Sequence, residues 1–207
     1  MNKNFDKIYS ILLKAYPDLS SFIEYKQPFE LLIGVILSAQ STDRQVNIIL
    51  PNLFARYPGA AELAQASQKD VEELIRSVGF YRIKAANIIK TADIIHNQHG
   101  GTIPSSMEEL TALPGVGRKS ANVIRGTIYG LPAIIVDTHF MRVSRRLGLT
   151  EQKTPEKIEK DLAAKIPPKK QYPLSMTVNR HGRTTCHARK PDCTNCILRD
   201  YCPKIGL

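Results

Sequence analysis

"IPSSMEELTALPGVGRKSANVIRGTIYG", from Ile103 to Gly130, contains two short helical patterns joined by a glycine turn. Ser105 and Ser106 each have a glutamate three residues on, Glu108 and Glu109, the spacing of a capping box and so a helix start. That helix stops at Leu113-Pro114. "PGVG" then turns the chain tightly, because Gly115 and Gly117 lack the Cβ that would forbid positive φ or hold another backbone away. A second helix is expected from about Arg118 to Tyr129. Its first-turn N–H groups have no internal partners and lie at the positive end of the helix dipole, which makes them a seat for phosphate. A helix, a glycine hairpin and a second helix in this order suit a DNA backbone bound without regard to sequence, since phosphates carry no sequence information. A tight turn between two packed helices with no ligand gives the same local pattern.

The flanking sequence is helical in both directions. "FELLIGVILSAQSTDRQVNIILPNLFARYP" (29–58) reads as two buried or half-buried helices, with Pro51 near a helix start and Pro58-Gly59 closing the segment. In "QKDVEELIRSVG" (68–79), Val71, Leu74, Ile75 and Val78 recur at helical spacing and Gly79 is the expected C′ stop. "RIKAANIIKTADIIHNQHGG" (82–101) places Ile83, Ala86, Ile89 and Ile94 roughly on one face. No stretch alternates long enough to argue for a sheet. Only "PAIIVD" (132–137), a short β-branched run, is left unassigned by periodicity.

Composition narrows the function classes. A chain of 207 residues that is 43% hydrophobic can fill a real core. The longest apolar run, "LLIGVIL" (31–37), is far short of the roughly 20 residues a membrane span requires, and the N-terminus lacks a signal-peptide pattern. Membrane insertion and secretion are not expected. With 29 Lys and Arg against 19 Asp and Glu, the net charge is +10. Much of the excess falls after Arg142, in "RVSRRL", "PPKKQ", "RHGR" and "ARK", and a basic surface of this kind attracts polyanions such as nucleic acid.

All four cysteines lie in "CHARKPDCTNCILRDYC", at Cys186, Cys193, Cys196 and Cys202. In a reducing cytoplasm such a cluster suits a metal site better than two disulfides. Four thiolates fit tetrahedral zinc or an iron–sulfur cluster equally well on chemistry alone. Two further residues invite a chemical reading. Lys119, beside Arg118 at the start of the second hairpin helix and on the same helix as Arg125, fits a phosphate contact or, as the neutral amine, a nucleophile. Asp137, between "IIV" and Phe140, fits a helix cap, a base, or a carboxylate stabilising developing positive charge, and these roles are compatible in one residue.

"LPGVGRKSAN", "VDTH", "HGR" and the Cys-x6-Cys-x2-Cys-x5-Cys tail together resemble the endonuclease III family, over nearly the whole chain from about Phe29 to Cys202. The resemblance implies an all-α, two-lobed helix-hairpin-helix DNA glycosylase fold. A helical barrel domain at 20–131 would carry the hairpin (about 105–129), and 1–19 with 132–207 would form a discontinuous cluster domain. It implies base-excision repair of oxidised or ring-damaged pyrimidines in duplex DNA, with AP lyase activity. Lys119 would be the nucleophile and Asp137 the essential aspartate. Gln40 would fill the space left by the flipped nucleotide, and "GFYRIKA" (79–85) would probe the opposite strand. Gly115, Gly117 and Arg118 would hold phosphate. The four cysteines would hold a [4Fe–4S] cluster whose loop aims Arg189 and Lys190 at DNA. The implied partner is damaged double-stranded DNA, with no membrane, and the implied enzyme is a cytoplasmic monomer. A monofunctional adenine or thymine mismatch glycosylase and a non-catalytic DNA-binding protein are the alternatives; Lys119 argues against the first, and retention of both Lys119 and Asp137 against the second. In "LSMTVNRHGR", Thr177, Asn179 and Arg180 break an apolar helix expected before "HGR".

Overall fold

The computed structural model describes residues 2–207, which form eleven α-helices and no strand. In chain order these are α1 (Phe5–Ala15), α2 (Pro28–Ser38), α3 (Asp43–Arg56), α4 (Ala60–Ala64), α5 (Gln68–Leu74), α6 (Tyr81–Gln98), α7 (Met107–Ala112), α8 (Arg118–Tyr129), α9 (Thr138–Arg146), α10 (Pro155–Lys165) and α11 (Pro168–Thr184). The chain divides into two compact units. One is continuous, Ser21–Tyr129; the other joins the segment up to Ser20 with Gly130–Leu207.

The continuous unit is organised on α2, in which every residue from Leu31 to Leu37 is buried. A helix apolar on all sides belongs inside a bundle, and α3, α6 and α8 pack around it while α4 and α5 lie against α6 and α7 against α8. Three local expectations change here. Pro51 lies inside α3 rather than near a helix start; it is exposed, so the carbonyl that its missing N–H leaves unpaired is on the solvated side. α5 ends at Leu74, and Gly79 is absent from the residues with positive φ. Its lack of a side chain serves packing instead, since a Cβ there would come within 3.3 Å of the Gln40 carbonyl. On α6 the buried stripe is Lys84, Ala85, Ile88, Thr91, Ala92 and Ile95, whereas Ile83 is 63% exposed. The face is rotated by about one residue because a lysine and a threonine belong to the inner side, where a count of apolar residues does not look for them.

In the discontinuous unit, α1 and α9 both pack on α11, and Phe5, Ile8, Leu12, Phe140, Leu174 and Val178 share one core. "PAIIVD" is extended without being a strand. Ala133 to Val136 are buried, and the N–H of Ile135 donates to Ser175 Oγ at 3.0 Å in place of a sheet neighbour. Two of the polar residues of α11 find acceptors, one within the helix and one far along the chain. Thr177 Oγ1 donates to the Pro173 carbonyl at 2.9 Å, and Arg180 reaches Asp18 Oδ2 at 2.8 Å and the Ser20 carbonyl at 3.0 Å. The basic run "RVSRRL" is not a uniform surface: Arg145 is exposed but Arg146 is buried.

Candidate functional site

The hairpin forms as its spacing predicts. Ser106 caps α7, its Oγ accepting the Glu109 N–H at 3.1 Å and donating to Glu109 Oε2 at 2.6 Å. The turn is held by the Val116 N–H to the Leu113 carbonyl (3.1 Å) and by buried Thr91, whose hydroxyl donates to the Pro114 carbonyl (3.1 Å). Gly115 has φ +83°, and a Cβ there would stand 2.9 Å from Ile36 Cγ2 and 3.1 Å from Asn87 Nδ2. Gly117 differs on both counts: its φ is not positive, and a Cβ would meet nothing within 4 Å. The Gly117 carbonyl accepts the Ala121 N–H at 2.9 Å, so this residue opens α8 onto empty space. Arg118 and Lys119 are exposed on the first turn of α8, whose inner side carries Ala121, Asn122 and Ile124. Arg125 is turned to the Ser105 carbonyl (3.0 Å), where it ties α8 to the residues before α7.

A second feature of the same unit joins two loops. Gln40 (φ 55°) is exposed just after α2, and Phe80 (φ 58°), 62% exposed, opens α6. Positive φ in non-glycine residues is uncommon and for a bulky side chain costs free energy that the surroundings must supply. Beside these loops lies Lys84, 5% exposed, whose Nζ donates to the Leu37 carbonyl at 2.8 Å and to Ser41 Oγ at 2.9 Å. Ser41 Oγ also accepts the Gly79 N–H at 3.2 Å, which links the Gln40 loop to the Phe80 loop. The ammonium sits at the negative end of the α2 dipole, and burial pulls the Lys84 pKa below its ordinary value. The resemblance puts this residue in "GFYRIKA", probing the opposite strand, but Lys84 and Ala85 are buried on the inner side of α6; a lysine in an amphipathic helix carries no mark of being inside.

Asp137 lies in the other unit. It is the N-cap of α9, with Oδ1 accepting the Phe140 N–H at 2.7 Å. Its Oδ2 accepts from Nδ2 of Asn179 on α11, and Asn179 Oδ1 accepts from Arg183 Nε at 2.7 Å.

The four cysteines of this unit line one pocket, with Arg146, His181 and Leu198. None forms a disulfide, and among the described residues no three metal-binding side chains converge as the ligands of one ion would. The four sulfurs share one pocket, a donor set that fits an iron–sulfur cluster. Their setting agrees. Burial pushes the Cys196 and Cys202 thiols up, so thiolates there call for a cationic group, and donors are already placed on the sulfurs: Arg146 to Cys186 Sγ at 3.3 Å and the Leu198 N–H to Cys196 Sγ at 3.4 Å. Burial lowers His181 to about 4, and its ring stands 3.6 Å from Cys196 Sγ. Arg146 also binds the His187 and Ala188 carbonyls (2.7 and 3.1 Å), and Arg142 binds the Cys186 and Gly182 carbonyls (2.9 and 2.8 Å). These two arginines, counted in the sequence as surface charge, hold the loop that exposes Arg189 and Lys190, the latter at φ 51°.

Comparison with known proteins matches residues 33–168 to the family described as "HhH-GPD superfamily base excision DNA repair protein", and residues 186–202 to the "Iron-sulfur binding domain of endonuclease III". The chain is 46% identical to endonuclease III of Synechocystis over 95% of its length and 90% of that protein. It is 40% identical to endonuclease III of Escherichia coli over 95% of its length and 93% of that protein. A solved structure described as a non-covalent endonuclease III–DNA complex superimposes with a TM-score of 0.91 at 37% identity, covering 99% of this chain and 96% of the other.

Proposed function

The chain belongs to the endonuclease III family of HhH-GPD base excision DNA repair proteins, and from that membership we propose that Lys119 and Asp137 carry its glycosylase and AP lyase chemistry on damaged duplex DNA. The substrate is a nucleotide with an oxidised or ring-damaged pyrimidine, rotated out of the stack because its C1′ cannot be reached inside the duplex. The neutral Nζ of Lys119 attacks C1′ as the bond to the base breaks, and the base leaves with the bonding electrons and is protonated. Asp137, as carboxylate, stabilises the positive charge that develops on the sugar in this step. Opening of the sugar ring gives an imine between Lys119 and C1′. Loss of a C2′ proton then expels the 3′ phosphate, cutting the strand, and water releases the lysine.

The remaining residues bind and orient. The Gly115–Arg118 turn seats a phosphate, Gln40 fills the vacated stack, the exposed Phe80, Arg82 and Ile83 of "GFYRIKA" (79–85) face the opposite strand, and Arg189 and Lys190 contact the backbone. The [4Fe–4S] cluster, held by Cys186, Cys193, Cys196 and Cys202, supplies a compact inorganic core for the loop bearing Arg189 and Lys190. The enzyme acts as a cytoplasmic monomer; the net charge of +10 supports a polyanionic partner, and no described helix is long and apolar enough to cross a membrane.

The observation that carries this reading is the exposed Lys119 on the first turn of α8, two residues after Gly117, which has open space where its Cβ would be. The test is borohydride trapping on a duplex with a single thymine glycol, wild type against Lys119→Ala. A covalent adduct with the wild type alone is expected. Base release without an adduct would move the protein to the monofunctional mismatch class, and neither adduct nor release across several lesions would leave a binding protein.

A further inference from the structure

Asn179 is the polar residue that breaks the apolar pattern of α11, and it is 5% exposed. Buried there, it must spend its amide on partners, and it does so on Asp137 and Arg183. The shape of an amide does not distinguish its oxygen from its nitrogen, but its partners do. A guanidinium has donors only, so the atom facing Arg183 is the oxygen and the NH2 faces the Asp137 carboxylate. Arg183, exposed at the last turn of α11, thereby sets the polarity of a two-bond chain that ends on Asp137 Oδ2. The other oxygen is taken by the Phe140 N–H. One donor would leave the carboxylate free to turn about its Cβ–Cγ bond; two donors, one from the start of α9 and one from α11, fix its plane.

We propose that Asn179 is a positioning residue for the reaction: it holds the carboxylate of Asp137 in one orientation, with Arg183 keeping the amide the right way round. This rests on the reading of Asp137 as the group that faces the developing positive charge. An apolar residue at 179 would occupy the same space and donate nothing. The charged and titratable groups around Asp137 are His139 and Arg142 on its own helix and Arg183 on α11. Arg142 acts on Asp137 electrostatically, but its hydrogen bonds go to the Gly182 and Cys186 carbonyls and to His139 Nδ1.

The test is Asn179→Leu, which removes the donor while keeping the branching and the number of heavy atoms. Under single-turnover conditions on thymine glycol DNA, base release should slow by about tenfold or more, because the carboxylate is no longer held in one plane towards the developing charge. Affinity for a duplex carrying a non-cleavable abasic-site analogue should stay within about twofold, since the change is in the chemical step. On an Asp137→Asn background the same substitution should cost nothing further. A wild-type rate, or a full additional loss on that background, would overturn the proposal. Should Asn179→Leu not fold, Arg183→Gln, at an exposed position, should slow the same step by about threefold at saturating enzyme; an unchanged rate would again overturn it. A wild type that neither releases base nor traps would refute the proposed function instead. The positioning claim would then be decided by crystal structures of the wild type and Asn179→Leu, where an Asp137 carboxylate plane equally ordered and unchanged in both counts against it.

Discussion

Two glycines separated by one residue respond in opposite ways to the same substitution. At Gly115, alanine meets a left-handed backbone of φ +83° and a new Cβ 2.9 Å from Ile36 Cγ2 and 3.1 Å from Asn87 Nδ2. The backbone term is about 1–2 kcal/mol and crowding a packed core adds about 1–3 kcal/mol, so Gly115→Ala should destabilise the fold by roughly 2–5 kcal/mol. At Gly117 the backbone is permissive and a Cβ meets nothing within 4 Å. The remaining cost is that alanine is a poorer helix N-cap than glycine, about 1 kcal/mol or less. That Cβ does occupy the space through which a phosphate approaches the α8 N-terminus. Urea denaturation paired with titration of an abasic-analogue duplex reads both quantities. The expected result is a lowered midpoint for Gly115→Ala, against a near-wild-type midpoint with about tenfold or more loss of affinity for Gly117→Ala, roughly the 1.4 kcal/mol of one obstructed charge-assisted contact. A Gly117→Ala protein that binds DNA as the wild type does would refute the assignment of this turn as the phosphate seat, and equal midpoints for the two variants would refute the division of labour between them.

Arg146→Met keeps the packing of a long side chain but removes the donors to Cys186 Sγ and to the His187 and Ala188 carbonyls. Absorbance near roughly 400 nm, where iron–sulfur bands fall, should bleach several-fold faster in air than for the wild type; equal decay curves would show that the loop does not depend on this arginine. Lys84→Met tests the buried ammonium through pH. With its folded pKa pulled down by burial, the folded and unfolded chains bind equally many protons at this group below the lowered value. Between that value and the ordinary lysine 10.5 the unfolded chain holds more, so this group makes stability rise with pH across the window. The wild type should therefore gain stability relative to Lys84→Met on going alkaline, and parallel curves of unfolding free energy against pH would refute it.

Local chemistry written along the chain was enough to place the hairpin. Ser106 and Glu109 start one helix, a proline and a glycine end it, and Arg118 to Tyr129 form the next, because capping and turn preferences act over three or four residues. The same locality kept the four cysteines and the dual character of Asp137 legible. Fewer of the inward-facing positions were. Periodicity averages over apolar residues, so it put Ile83 on the inner face of α6 and could not see that Lys84 and Thr91 belong there, since their burial depends on carbonyls at Leu37 and Pro114, 47 and 23 residues away. Arg142 and Arg146 read as surface charge for the same reason. Asn179 read as an unexplained break in an apolar run, although its partner Asp137 lies 42 residues earlier. The sequence by itself determined the helices, the hairpin and the inventory of reactive groups; which polar side chains go inside, and what each one holds in place, was decided only when the folded chain brought distant acceptors within hydrogen-bonding reach.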